Sequence, residues 1–171
     1  MTAMRIRRAR PDDASAVAGV RVRSWQAAFA GLLPRDYLDA MDPGREEPEW
    51  KTRIAEAQWP SSAVLVAETE VGIVGFSGFG ASQEDPAVAE IGTLYAMPEV
   101  WSAGVGKQLM LATLAALRQA DYTHATLWVL EDNERARRFY EASGWRADGN
   151  AVEDTTGGAS LNKLRYRHPL G

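Results

Sequence analysis

The stretch Ala103-Gly104-Val105-Gly106-Lys107 constrains this chain more than any other. It follows an extended run, Glu90–Met97, that Pro98 closes, and it precedes an apolar helix pattern over Gln108–Arg118. Leu109, Ala112, Ala116 and Leu117 fall on one stripe of that helix. A strand that passes through a glycine turn into a helix start can hold an anion. Glycine lets the backbone approach the anion closely, and the first helical N–H groups point at it with the positive end of the macrodipole behind them.

Three phosphate-binding turns share these ingredients, and spacing separates them. A Walker A turn needs Gly-x4-Gly-Lys-Ser/Thr, but position 101 is Trp and position 108 is Gln. The dinucleotide fingerprint needs a third glycine at position 109, which is Leu. The third pattern is Gln/Arg-x-x-Gly-x-Gly/Ala, which Trp101-Ser102-Ala103-Gly104-Val105-Gly106 matches except at Trp101. A glycine turn capping an ordinary helix has the same features, so the turn alone leaves these readings open.

A second motif decides among them. Thr126–Leu130 is a short β-rich run, followed by Glu131-Asp132-Asn133 and a helical pattern through Ala136, Phe139, Tyr140 and Ser143 that stops at Gly144. Alone, this segment reads as an amphipathic helix with an aromatic core face. In Asn133-x-x-Ala136-x-x-x-Tyr140-x-x-x-Gly144-Trp145, however, it resembles the second signature of the GNAT superfamily of N-acetyltransferases, whose pyrophosphate turn is the third pattern above. The two motifs stand in the right order, about thirty residues apart, each behind a strand. The motif match lies within residues 88–146, and the wider resemblance runs over residues 4–168.

The resemblance implies an α/β fold on residues 1–171 as a single acetyltransferase domain: a mixed, mostly antiparallel sheet of roughly six to seven strands, with helices on both faces and two splayed parallel central strands. It implies acetyl-CoA as cofactor. The pyrophosphate would rest on the backbone of Ser102, Ala103, Gly104, Val105, Gly106 and Lys107, with Ser102 and Lys107 adding side-chain contacts. Trp101 cannot donate to a phosphate as Gln or Arg would. Leu94, Tyr95, Ala96 and Met97 would pair with the pantetheine arm, with Asn133 and Ala136 on the opposite wall.

For chemistry, the resemblance points to Glu90 as base, directly or through a water, and to Tyr140 as the acid that returns a proton to the thiolate. A backbone N–H near Tyr95 would meet the oxyanion, and the Tyr95 hydroxyl is a second candidate for either proton role. Each has a plainer reading: a strand-end carboxylate for Glu90, a core aromatic for Tyr140. The acceptor would be read by the first helices and the last loop, which here supply Arg23, Trp25, Phe29, Tyr37, Glu153 and Asp154. The leading expectation is an N-acetyltransferase acting on a primary amine of a small molecule or peptide. An acyl-CoA-binding sensor that has lost catalysis and a protein lysine acetyltransferase are the rivals.

Composition narrows the field. An apolar fraction of 46% and a charged fraction of 25% are ordinary for a globular domain. No apolar run is long enough to span a membrane, and no apolar signal region follows the first residues, so a cytoplasmic location is expected. Without cysteine there is no disulfide framework, thiolate metal site or cysteine nucleophile, and His124 and His168 have no ligand spacing around them. A metal is not expected. A net charge of −4 argues against nucleic acid, and Arg5, Arg7, Arg8 and Arg10 read as a solvated strand face. Six tryptophans leave room for an exposed aromatic patch or a homodimer interface.

Along the chain, Met4–Ala9 reads as a strand and Pro11-Asp12-Asp13 as the start of a long helix through Phe29. A short helix from Tyr37 follows, then a polar stretch Asp42–Glu49 and a helical segment with Trp50 and Ile54. Ala63–Thr69 and Ile73–Gly80 form a hairpin in which Gly75, Gly78 and Gly80 mark bulges or tight packing. Strand Glu90–Met97, helix 104–119, strand Ala125–Leu130 and helix 133–143 follow. Two closing strands, Trp145–Ala147 and Leu161–Arg167, are expected to flank a polar loop Asp148–Ser160.

Overall fold

In the computed structural model, which describes residues 3–171, a sheet of seven strands has the order β1-β2-β3-β4-β5-β7-β6. The strands are β1 (Arg5–Arg8), β2 (Ala63–Thr69), β3 (Gly72–Ala81), β4 (Val88–Ala96), β5 (His124–Leu130), β6 (Arg146–Thr156) and β7 (Ala159–Pro169). The helices are α1 (Ala14–Ala28), α2 (Arg35–Asp39), α3 (Pro43–Glu56), α4 (Val105–Gln119) and α5 (Glu134–Ala142). All neighbours pair antiparallel except β4 and β5, which run parallel.

β2 shows why the sheet is covered on both faces. Val64 and Val66 point into a core built with Val17 and Val20 of α1, Trp50 and Ile54 of α3, and Phe76. Ala63, Leu65 and Ala67 point the other way, into the larger core around Leu109, Leu114 and Leu117 of α4. A strand buried on both faces loses the polar alternation of a one-sided strand and reads as a continuous apolar run. Gly75 packs where a Cβ would sit 2.9 Å from Val105 Cγ1, so α4 lies hard against β3. Gly78 adjoins a register shift in the β3–β4 ladder.

Three expectations are corrected. The stretch Asp148–Ser160 is not a loop: β6 and β7 extend through it and meet at Gly157-Gly158, both at positive φ. Two consecutive residues of that conformation make a tight hairpin turn, and β6 is polar because it is an exposed edge strand. The polar stretch Asp42–Glu49 does not merely precede a helix but forms the cap and first half of α3. Asp42 caps α3 by accepting from Gly44 N, and Pro43 opens the helix. Finally, Arg7 is not solvated. Its guanidinium pairs with Asp13 at 2.7 Å and Glu68 at 3.0 Å, tying α1 to the β1–β2 edge.

Candidate active site

The turn before α4 is built to leave backbone N–H groups free. Ser102 and Gly104 sit at φ 70° and 87°, a winding that turns the chain into the helix within a few residues. The first helical bond runs from Gln108 N to Gly104 O at 3.1 Å, so the N–H groups of Val105, Gly106 and Lys107 have no partner inside the helix. No side chain caps this end, and no acidic residue lies in its first turn. α3 and α5, by contrast, are capped by Asp42 and Asn133. The helix start facing the cleft is thus open to an anion.

The cleft arises from the sheet. β4 and β5 pair only at Val88–His124, Ala89–Ala125 and Glu90–Thr126. Beyond Glu90 the strands diverge, and the edge of β4 facing β5 has no ladder partner through Ala96. Two cavities open along this wedge. One, of about 460 Å³, is lined by Ser102, Gly104, Val105, Gly106 and Lys107 of the turn and by Leu94, Tyr95 and Ala96 of β4. The other, of about 420 Å³, lies toward α1 and the β6–β7 hairpin. Both are lined by Leu94, Tyr95, Arg135, Ala136 and Tyr140, so those residues form the partition between them.

Two phenols stand on this partition. Burial raises the pKa of both Tyr95 and Tyr140 above the ordinary phenol value. For Tyr140 the neighbouring Tyr95 adds to the rise and the Arg135 charge opposes it. Both hydroxyls therefore stay protonated at neutral pH. Tyr140 is also set into an aromatic cluster with Phe139, Trp145 and Tyr166, at ring centroid distances of 5.4, 6.3 and 6.3 Å. The Trp145 N–H bonds Tyr140 O at 3.0 Å and closes the helix end.

The candidate residues divide on placement. Met97 does not line either cavity; it packs into the core and its N–H bonds Val74 O at 2.8 Å. Ala103 is exposed on the outside of the turn. Asn133 uses its side-chain oxygen to cap Ala136 N at 3.3 Å, and it lines the second cavity rather than the first. Glu90 lines the second cavity at the point where the strands part.

Trp25, Phe29 and Asp154 also line that second cavity, Asp154 held by Lys163 at 2.7 Å. Arg23, Tyr37 and Glu153 do not. Arg23 pairs with Glu99, Tyr37 packs on the Gly157 turn, and Glu153 accepts from Ser160. Glu153 and Asp154 are consecutive on a strand, so only one of them can face the cavity.

Sequence reasoning missed Arg135, Trp128 and Lys163, which complete the cavity walls. Arg135 occupies a variable position inside the second motif, and Trp128 lies on an otherwise apolar strand. Only the spatial arrangement marks them.

Residues 28–145 match the Acetyltransferase (GNAT) family. The uncharacterized N-acetyltransferase YuaI of Bacillus subtilis is 30% identical over 140 residues, covering 80% of this chain and 77% of that protein. The "Probable N-acetyltransferase Rv2775" of Mycobacterium tuberculosis is 28% identical over 167 residues, covering 96% of this chain and 92% of that protein. Among solved structures, the PaiA N-acetyltransferase from Thermoplasma acidophilum in complex with coenzyme A superposes with a TM-score of 0.77 at 19% identity, over 98% of this chain and 99% of that one. The uncapped turn, the splayed strands and these likenesses agree: the chain belongs to the acetyltransferase (GNAT) family and is an acyltransferase.

Proposed function

We propose that this protein moves an acetyl group from acetyl-CoA to a primary amine of a small molecule or peptide, with both substrates bound at once. The observation that carries this reading is the pair of cavities sharing one partition, the first framed by an uncapped anion-binding turn and the second by a carboxylate and aromatic rings. The residues present fit the cofactor. Free N–H groups of Val105, Gly106 and Lys107 suit a diphosphate, and the unpaired edge of β4 suits an amide-bearing arm laid along it as an added strand.

Bound there, acetyl-CoA supplies a thioester carbonyl that an amine can attack. The chain supplies the rest. A lysine-like amine has a pKa of about 10.4 and is almost wholly protonated at neutral pH, so a proton acceptor on the acceptor side is needed. Glu90, opening into the second cavity at the apex of the wedge, fills that role directly or through a water. A β4 backbone N–H near Tyr95 polarises the carbonyl oxygen. Tyr140, protonated on the partition, gives its proton to the departing sulfur, and the burial that holds the phenol protonated also raises the sulfur's proton affinity. Trp25, Phe29 and Trp128 pack against the body of the acceptor, beside the Asp154–Lys163 pair.

The test is release of free thiol from acetyl-CoA across a panel of amines, amino acids and N-terminal peptides. Amine-dependent thiol release with matching acetylated product is expected. Tight CoA binding with no turnover on any amine would instead identify an acyl-CoA sensor.

A further inference from the structure

Trp101 stands where the turn motif of the family carries Gln or Arg, and its indole N–H is committed to Ala96 O at 2.9 Å. It offers no donor to a ligand on the turn. Its ring face is not idle, however. The guanidinium of Arg135, reaching across from the first turn of α5, lies 3.6 Å from the ring centroid. Cation and ring therefore bridge the open end of the wedge, one from the element after β4 and one from the element after β5.

The three arginines of α5 behave differently. Arg137 donates to Tyr166 Oη and Glu131 O, both at 3.0 Å, and Arg138 pairs with Glu134. Arg135 alone of the three has no hydrogen-bonding or carboxylate partner among the described residues. It is solvent-accessible, lines both cavities, and is held by the ring at the cofactor end of the partition, since Trp101 lines only the first cavity. Its planar fork of N–H donors is free, pre-oriented by stacking, and reachable from solvent. Partial desolvation against the cleft wall lowers its pKa from the ordinary value without discharging it.

We propose that Arg135, shelved on Trp101, is a cofactor-binding residue that contacts the diphosphate of coenzyme A, supplying from α5 the side-chain charge that Trp101 removes from the turn. The inference rests on the reading above that coenzyme A occupies the first cavity. The two surfaces of the wedge then divide the work: backbone N–H groups of the turn on one side of the diphosphate, a bidentate cation on the other.

Calorimetric titration with coenzyme A tests this without reference to turnover. Wild type, Arg135→Gln, and Arg135→Gln combined with Trp101→Arg are compared, with thermal melts to show that each is folded. Pantetheine, which lacks the diphosphate, is titrated by NMR. The expected result is a weakening of coenzyme A binding by about 10–100-fold in Arg135→Gln, a shallower salt dependence, and unchanged pantetheine binding. Restoring a cation at position 101 should recover at least part of the loss.

Unchanged coenzyme A affinity in folded Arg135→Gln would overturn the proposal. So would an equal loss for pantetheine, which would make Arg135 a shaper of the cleft. A raised KM for the amine with coenzyme A affinity intact would overturn it too, and move Arg135 to an anionic group of the acceptor. Failure of the wild type to bind coenzyme A would overturn the cavity assignment as well, which separates the two claims.

Discussion

Tyr140→Phe removes one oxygen from the partition between the cavities and leaves the ring. Its neighbours Phe139, Trp145 and Tyr166 remain at their present centroid distances, and the hydroxyl makes no hydrogen bond among the described residues. Nothing inside the chain is orphaned by the change, so stability should move by less than about 0.5 kcal/mol. A general acid contributes on the order of 10²–10³ in rate, about 2.7–4.1 kcal/mol of transition-state free energy at 1.36 kcal/mol per tenfold. Because the contact forms only as the sulfur departs, coenzyme A affinity should stay near the wild-type value while kcat falls. Burial raises the Tyr140 pKa above the ordinary value near 10, so the phenol remains protonated up to and beyond that pH. The deficit of the variant should therefore be the same at pH 7 and pH 9. Steady-state thiol release across that range, with calorimetry for coenzyme A, checks each part. A loss of less than about threefold, or a deficit that vanishes by pH 9, would refute the acid role and move it to Tyr95 or solvent.

Glu90→Gln should lower kcat/KM for the amine by roughly 10–100-fold with coenzyme A affinity unchanged; a weakened coenzyme A titration instead would count against the base role. Thr113→Val should cost about 1–3 kcal/mol, because the Ser77–Thr113 hydrogen bond of 2.7 Å joins β3 to α4 in a fully buried position and Ser77 would be left unpaired. Adding Ser77→Ala should recover most of that loss in urea melts, and two independent, additive losses would show that the pair is not coupled. Arg7→Met should destabilise by about 1–2 kcal/mol at neutral pH. Hydrogen bonds from Arg7 hold the Asp13 carboxyl below its usual pKa, so this contribution is present above the unfolded value near 4 and is lost as pH falls through the depressed folded value. The gap between melts of wild type and variant should narrow progressively as pH falls below about 4, and a gap that stays constant under acid titration would refute the assignment.

The parts of the fold legible in the sequence were those in which one segment carries its own signal. The glycine turn before α4 and the Asn133-to-Gly144 helix announce themselves because φ and capping requirements are local. The β6–β7 hairpin did not, because an edge strand open to solvent has no need of apolar residues and Gly157-Gly158 resembles any flexible loop. Within the site, the left-handed turn at Gly104 and the uncapped helix start behind it could be read from the glycine spacing. Side-chain roles needed direction: Asp154 faces the cavity and Glu153 does not, Arg23 is drawn off by Glu99, and Tyr37 is used up on the hairpin turn. Arg135 was invisible because its meaning depends on Trp101, which is far from it in sequence and 3.6 Å away in space.

The most direct test of the account is a crystal structure of the protein with coenzyme A. The diphosphate should lie within hydrogen-bonding distance of the N–H groups of Val105, Gly106 and Lys107. The pantetheine amides should pair with the free edge of β4 between Ile91 and Ala96, and the sulfur should end between Tyr95 and Tyr140. A third cavity, of about 520 Å³, opens between α3 and the β3–β4 ladder beside Trp50 and Arg53. Coenzyme A seated there, with the turn and the wedge empty, would contradict the account.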